Sequence, residues 1–357
     1  MARKGNGSAT IRDVAQIAGV SIKTVSNVLN GYPHIRPQTR DRVTDAIREL
    51  DYHVNVSARN LSRGRTGAIA LVLPALRGAY FAELADAVMR EAAKRGFTVF
   101  IQQTNDERDR ELRVLDGSYR SMVDGVIFSP LALTQHDVGL FDMDLPLVLL
   151  GERIFGAGVD HVTMQNVAGA RAATEHVIGL GARTIVPLGA KDDPGSSSGT
   201  LRMKGFQEAL RAHGLELDPR AIVGVPDYFH STGAAAMAEI LDRGLVPDAV
   251  VAFTDALALG ALATLTERGL RVPDDVRLIG FDNIEEAGYS VPPLTTIDPG
   301  REIIAARAVA LLDERIRLRI EGVAREDQPA PRQEVVDFAL IRRQSTQAAD
   351  RRHRGDR

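Results

Sequence analysis

Ile11, Val14, Ala15 and Ala18 recur three and four residues apart, and after a break at Gly19 the spacing returns at Val25, Val28 and Leu29. Apolar positions at this period mark one face of a helix, so the stretch predicts two short amphipathic helices sharing a small core. Gly19 suits the positive φ of a tight turn, Val20 plugs the angle between the helices, and Ser21 is placed to cap the second helix through its hydroxyl. A third helix is predicted from Pro37 to Leu50, with Val43, Ala46, Ile47 and Leu50 facing inward and Pro37 in the first turn. Its cap position holds Arg36, a poor capper, so that end is weakly supported.

From Gly67 the pattern changes. Apolar runs (GAIALVLP, FTVFIQQT, DGVIFSP, LPLVLLG, HVTMQN, RTIVPLG, DAVVAFT and VRLIGFD) alternate with helical stretches. Such alternation predicts an α/β fold of parallel sheets with helices on both faces. The run to about Val335 exceeds one doubly wound unit. Two similar lobes joined by crossover strands, with a cleft at the carboxyl ends of the strands, is the economical arrangement. Crossings are expected near Gly158 to Asn166 and near Phe281 to Thr296.

Two short helices around a glycine turn form a helix-turn-helix pattern, in which the second helix enters the DNA major groove. Packing of Val25, Val28 and Leu29 leaves Ile22, Lys23, Ser26 and Asn27 outward. Lys23 can reach guanine O6 or N7, Asn27 can pair with adenine through two hydrogen bonds, and Ile22 can touch a thymine methyl. Compact helical pairs are common, so spacing alone also allows some other small bundle. Charge favours DNA: the first 65 residues carry 11 basic against 5 acidic groups, a net +6, while the other 292 carry a net −9. A basic head on an acidic body suits a polyanion partner, although a short basic tail can be merely solubilising.

Composition narrows the setting. The 357 residues contain 44% apolar positions and no cysteine, which allows sizeable cores, removes disulfides and thiolate metal sites, and fits a reducing compartment, the cytoplasm by default. No stretch resembles a secretory signal or is apolar and long enough to span a membrane. Enzyme signatures are missing too. GLGARTIVPLG lacks the order of a dinucleotide fingerprint, and GAKDDPGSSSGT places its lysine outside the phosphate-loop spacing. The histidines at 136, 161, 176, 213 and 230 lack metal-ligand spacing, and no serine sits in a nucleophile elbow. No catalytic residue, metal or cofactor is assigned.

TIRDVAQIAGVSIKTVSNVLNG, followed by TRDRVTDAIRELDYHVNVSARNLSRGRTGAIALVLP, resembles the head and hinge of the LacI/GalR family of bacterial transcriptional repressors, and the resemblance continues almost to the end of the chain. It implies a helix-turn-helix head over 1–54, a hinge helix and linker over 55–66, a two-lobed effector-binding and dimerisation body similar to periplasmic sugar-binding proteins over 67–341, and a disordered tail over 342–357. It further implies that Ser21, Thr24, Asn30, His34, Tyr52 and Asn55 contact phosphates or orient the head while Ile22, Lys23 and Asn27 read bases. Many members carry arginine where this chain has Asn27, so a different half-site is expected. The hinge residues Asn55, Ala58 and Leu61 match a helix that folds on DNA and wedges its leucine into the minor groove, which bends the duplex at the cost of unstacking. Without the resemblance, Leu61 reads equally as an anchor for the linker.

In the body the resemblance assigns Arg202, in SSSGTLRMKGF, to ligand hydroxyls or carboxylates, with Ser196 and Ser198 nearby. Asp282, in IGFDN, accepts from adjacent sugar hydroxyls. Asp255 lies beside the pocket or caps the next helix. Tyr80, Phe81 and Tyr228 are the aromatic candidates to lie against a sugar. The family more often has aspartates where this chain has Gly151-Glu152 and Gln165-Asn166; Glu152 and Asn166 can substitute, or the pocket takes another sugar. The function implied is a repressor that binds palindromic double-stranded operator DNA as a homodimer and is switched by a small effector, a sugar or derivative. The competing readings are a periplasmic-type solute-binding protein and a sugar-metabolising enzyme. The charged end TQAADRRHRGDR lacks the leucine heptads of a tetramer.

Overall fold

The computed structural model describes residues 9–29, 32–52, 65–190 and 197–347, and its contacts divide the chain into two compact units, Met1–Thr66 and Gly67–Arg357. The first holds α1 (Ile11–Ala18), α2 (Ile22–Leu29) and α3 (Pro37–Glu49). Val14, Val25 and Val43, all fully buried, form its centre with Ala15, Ala18, Ala46 and Tyr52. Thr10 and Asp13 close a capping box on α1, the Thr10 amide donating to the Asp13 carboxylate at 2.8 Å. Gly19 ends that helix at φ 62°, and the Thr24 amide donates to the Ser21 hydroxyl at 3.1 Å to start α2. Arg36 makes no side-chain capping bond, as expected of a residue with no side-chain acceptor.

The second unit opens with β1 (Ala68–Leu73), α4 (Ala79–Lys94), β2 (Thr98–Gln103), α5 (Arg108–Leu115), β3 (Gly125–Phe128), β4 (Leu147–Leu150) and β5 (Asp160–Met164). At Gln165 the chain crosses to a second lobe made of α6 (Asn166–Gly179), β6 (Ile185–Leu188), α7 (Ser198–Ala212), α8 (His230–Asp242), β7 (Ala249–Ala252), α9 (Asp255–Glu267), β8 (Arg277–Phe281), α10 (Glu285–Tyr289) and β9 (Thr295–Asp298). It returns at Pro299-Gly300, giving the first lobe α11 (Arg301–Ile320) and β10 (Gln333–Val336), and crosses again at Asp337-Phe338 into β11 (Ala339–Ile341).

The first sheet runs β10-β5-β4-β3-β1-β2, wholly parallel; the second runs β11-β9-β8-β7-β6, with β11 antiparallel on its edge. Along β1 the side chains alternate faces: Ile69, Leu71 and Leu73 join the core under α4 and α11, while Ala68, Ala70 and Val72 join Phe128 and Phe141 on the other side.

Three expectations need correction. The second crossing lies at Pro299-Gly300, beyond Thr296, and the third was not foreseen. The body does not stop at 341 either. Ser345 and Thr346 are buried, the Ser345 hydroxyl accepts from the Thr295 amide at 2.8 Å, and the Arg343 amide donates to the Thr295 hydroxyl at 2.8 Å. A polar sequence is ordered here because β9 offers it hydrogen-bonding groups that would otherwise be buried unpaired.

Candidate nucleic-acid interface and ligand cleft

On the head, Ile22 and Lys23 are exposed at the start of α2, and Ser26 and Asn27 are half-buried one turn later. Thr24 is half-buried and its hydroxyl lies 2.9 Å from that of Ser21, so both are engaged in starting the helix. His34 is exposed, with its ring edge against Tyr32. Tyr52 instead lies within the head core, and its amide closes α3 onto the Ile47 carbonyl at 2.9 Å. Asn30, Asn55, Ala58 and Leu61 fall outside the described residues, as does Ser196.

Between the lobes of the second unit lies a cavity of about 320 Å³. Loops following β1, β3 and β4 meet loops following β7 and β8 there, as expected at the carboxyl ends of parallel strands. Tyr80, Phe81, Glu152, Ser198, Tyr228 and Asp282 are all brought to its wall. Tyr80 and Phe81, adjacent on the first turn of α4, meet edge to face at 5.4 Å. Tyr228 donates to the Gly189 carbonyl at 3.2 Å and is hydrogen-bonded by Ser198. Burial pushes both phenols up, Tyr228 to about 12.

Arg202 and Asp255 are near the cavity but do not line it. Arg202 donates from Nε to Asn166 Oδ1 at 2.7 Å and from Nη1 to the Phe253 carbonyl, and its Nη2 lies 3.6 Å from Asp282 Oδ1. Asn166 in turn donates to Glu152 Oε1 at 2.5 Å. A continuous polar chain thus runs from Glu152 in the first lobe to Asp282 in the second. Asp255 is not the cap of α9, because the Thr254 hydroxyl accepts the Leu257 amide. Its carboxylate accepts from the Ile284 amide at 3.0 Å and the Thr296 hydroxyl at 2.5 Å, so it props up the loop that carries Asp282.

That loop is held in an uncommon conformation, Asp282 at φ 120° and Asn283 at φ 51°. Arg301 donates to the Asp282 carbonyl at 3.2 Å, and Arg343 to Asn283 Oδ1 at 2.7 Å. Burial pushes the Asp282 carboxyl up to about 8 and outweighs the opposing pull of Arg202. Asp255 moves the same way for the same reason.

Sequence reasoning missed Asp106, Ser129, Arg153 and Thr163, which also line the cleft. Ser129 follows β3 directly, so the strand-end rule that located Asp282 would have found it. Glu111 shapes the wall from behind: its buried carboxylate accepts from the backbone amides of Leu131, Ala132 and Leu133 at 2.7–3.1 Å.

Residues 10–55 match the family described as bacterial regulatory proteins, lacI family, and residues 174–346 match the periplasmic binding protein-like domain. The HTH-type transcriptional repressor PurR of Pasteurella multocida (strain Pm70) is 32% identical over 316 residues, which span 88% of this chain and 93% of that protein. Among solved structures, the transcriptional regulator CelR–cellobiose complex is 31% identical with a TM-score of 0.67, covering 94% of this chain and 99% of CelR. The Lac repressor dimer bound to operator and the anti-inducer ONPF is 25% identical with a TM-score of 0.78, covering 95% and 99%.

Proposed function

The chain belongs to the LacI family of bacterial regulatory proteins, and on that premise we propose that this DNA-binding transcriptional regulator is a homodimeric repressor whose hold on a palindromic operator is set by a sugar or sugar derivative in the cleft. The observation that carries the reading is the pairing, in one chain, of a capped helix-turn-helix that exposes Ile22 and Lys23 with a two-lobed body that gathers Tyr80, Phe81, Glu152, Tyr228 and Asp282 around one cavity. The structurally similar CelR is a complex with cellobiose, and the Lac repressor a dimer on its operator. A solute-binding protein would have no use for the head, and the cleft is read as a sensor, not a reaction site, in line with a family of regulators. Among the described residues no helix is long and apolar enough to cross a membrane; we place the protein in the cytoplasm, with the DNA it regulates.

Ligand in the cleft changes the angle between the lobes, and with it the spacing of the two hinges and the cost of folding them on DNA. Coupling of about 1–3 kcal/mol gives a 5- to 150-fold response. Phe100 on the edge strand β2, and Tyr289 and Val291 on the second lobe, are exposed apolar side chains that a second copy would cover. Two heads then read half-sites about 34 Å apart.

Titration of inverted-repeat duplexes, with and without sugars, tests the whole reading; no preference over scrambled DNA would sink it. Asn27→Ala should weaken binding to the preferred operator by about 1–3 kcal/mol and relax selection at a single base pair per half-site, whereas a uniform loss across sequences would move Asn27 to the phosphates. Leu61→Ala should weaken operator binding far more than non-specific binding.

The Asp282 carboxyl supplies a pH signature. In the free cleft it holds its proton up to about 8; ligand hydroxyls that donate to it favour the ionised form, so binding releases a proton. Effector affinity should rise with pH by up to about tenfold per unit until pH passes about 8 and then level off. Calorimetry from pH 6 to 9 reads this directly, and Asp282→Asn should flatten the profile.

A further inference from the structure

The lobes also meet outside the cavity. On α4, Tyr80, Phe81 and Leu84 line the cleft, whereas Glu83 lines a separate crevice of about 600 Å³ together with Arg301 from the first turn of α11. Both residues belong to the first lobe, and both reach across to the backbone of the second. Glu83 Oε1 accepts from the Glu285 amide at 2.8 Å, and Arg301 Nη1 donates to the carbonyls of Asp282 and Asn283 at 3.2 and 3.5 Å. Arg301 Nη2, 2.5 Å from Glu83 Oε2, ties the pair together. What they grip is the loop that brings Asp282 to the cavity wall, with positive φ at Asp282 and Asn283.

A further bridge is weaker. The Arg77 guanidinium lies 4.4 Å from the ring centroid of Phe229 in the second lobe, but Arg77 is exposed, and a cation–π contact in water contributes little. The side chains of Glu83 and Arg301 are only 24% and 15% exposed, and hydrogen bonds that carry a full charge on one partner are stronger than neutral ones. Their targets in the second lobe are main-chain groups, so the grip does not depend on the Glu285 side chain. Opening the lobes would pull the Glu285 amide and two carbonyls from their partners together.

We propose that Glu83 and Arg301 form a clasp that holds the lobes closed from outside the cleft, and that its strength sets how far they open before any effector binds. Both are positioning residues: neither lines the cleft, and Arg301 acts on Asp282 through its carbonyl. A ligand that bridges the lobes adds to a closure already favoured, and its apparent affinity scales with the closed fraction. The consequence for DNA rests on the switch proposed above, in which the lobe angle sets the spacing of the hinges.

The chain has no cysteine, so a fluorophore pair can be attached through Gly139→Cys in the first lobe and Lys204→Cys in the second, both exposed, in full-length protein mixed with excess unlabelled chain. With no sugar added, Glu83→Ala and Arg301→Gln should each shift the open-to-closed ratio about 5- to 10-fold toward open, read as a change in energy transfer. Glu83→Gln can still accept from the Glu285 amide but loses the ion pair, and should shift the ratio about 2- to 3-fold. Glu285→Ala keeps the amide and should leave the transfer unchanged. Wild-type transfer in all three clasp variants overturns the inference, even where their urea midpoints fall, because the residues would then be merely structural. An equal shift in Glu285→Ala overturns it too, by moving the grip from backbone to side-chain charge. Affinity for the inverted-repeat duplex that the wild type prefers is measured on the same proteins. If it changes in step with the transfer, the clasp is part of the switch; open lobes with wild-type affinity leave the clasp standing and remove the lobe-angle switch.

Discussion

Arg202→Met sharply weakens the effector response and lowers the stability of the second lobe by about 3 kcal/mol, as expected when buried acceptors lose a charged donor. Methionine replaces much of the volume against Phe281, so cavity formation is a minor part of the effect. The larger part is chemical. Without the guanidinium, Asn166 Oδ1 and the Phe253 carbonyl lose their donor, and Asp282 loses the cation beside it. Asp282 can answer by holding its proton more firmly, because Arg202 is the main influence pulling its pKa back down. That moves the midpoint of the pH profile of any residual effector binding above about 8. Urea unfolding reads the first effect and pH-dependent calorimetry the second. The head has its own core, so operator binding without effector should persist where the body remains folded. Wild-type stability with an unmoved pH profile would show that Arg202 does not position Asp282.

Gly260→Val is the most damaging single change expected in the second lobe, at about 3 kcal/mol or more, the upper end of overpacking costs. Gly260 on α9 faces α8 so closely that an added Cβ would lie 1.9 Å from the His230 carbonyl oxygen and 2.8 Å from the Ala234 amide. The reciprocal position, Gly233, would place its Cβ 2.3 Å from the Leu257 carbonyl oxygen. These neighbours are backbone, so no rotamer change relieves the clash and the helices must separate. Separation would also strain the hydrogen bond from the Thr264 hydroxyl to the Ala234 carbonyl, 3.0 Å long. Denaturant unfolding should show the loss, while Gly139→Ala, where an added Cβ meets nothing within 4 Å, should stay within about 0.5 kcal/mol. Comparable unfolding midpoints for the two variants would disprove the close helix packing.

The helices of the head were legible in the sequence, although Tyr52, expected at the DNA, lies in its core. Its buried positions recur at helical spacing, and Gly19 and Ser21 occupy positions whose backbone needs are local. Thr10 and Asp13, three residues apart at the start of α1, carry an equally local signal for its capping box. In the body, eight strands announced themselves as apolar runs, all but the exposed edge strand β2 largely buried. β9, β10 and β11 did not. Thr295 and Thr296 in β9 are completely buried, yet threonine reads as polar until Ser345, Arg343 and Asp255 supply its hydrogen bonds. β10 and β11 are short edge strands, partly exposed, with no apolar run to mark them.

The amino-acid order alone determined the helix-turn-helix and the strand-helix alternation, because periodicity, capping and turn chemistry act over a few neighbouring residues; the class of protein was implied by the resemblance of the head and hinge to the LacI/GalR family. Which groups face the ligand was decided only in three dimensions. Arg202 and Asp255 stand at the right places in the chain, but both are engaged by residues 29 to 51 positions away and withdrawn from the cavity wall, whereas Ser129 and Arg153 line it. A group can serve a ligand only through hydrogen-bonding capacity that its own fold leaves unused and exposed, and that balance depends on distant partners that no local pattern records.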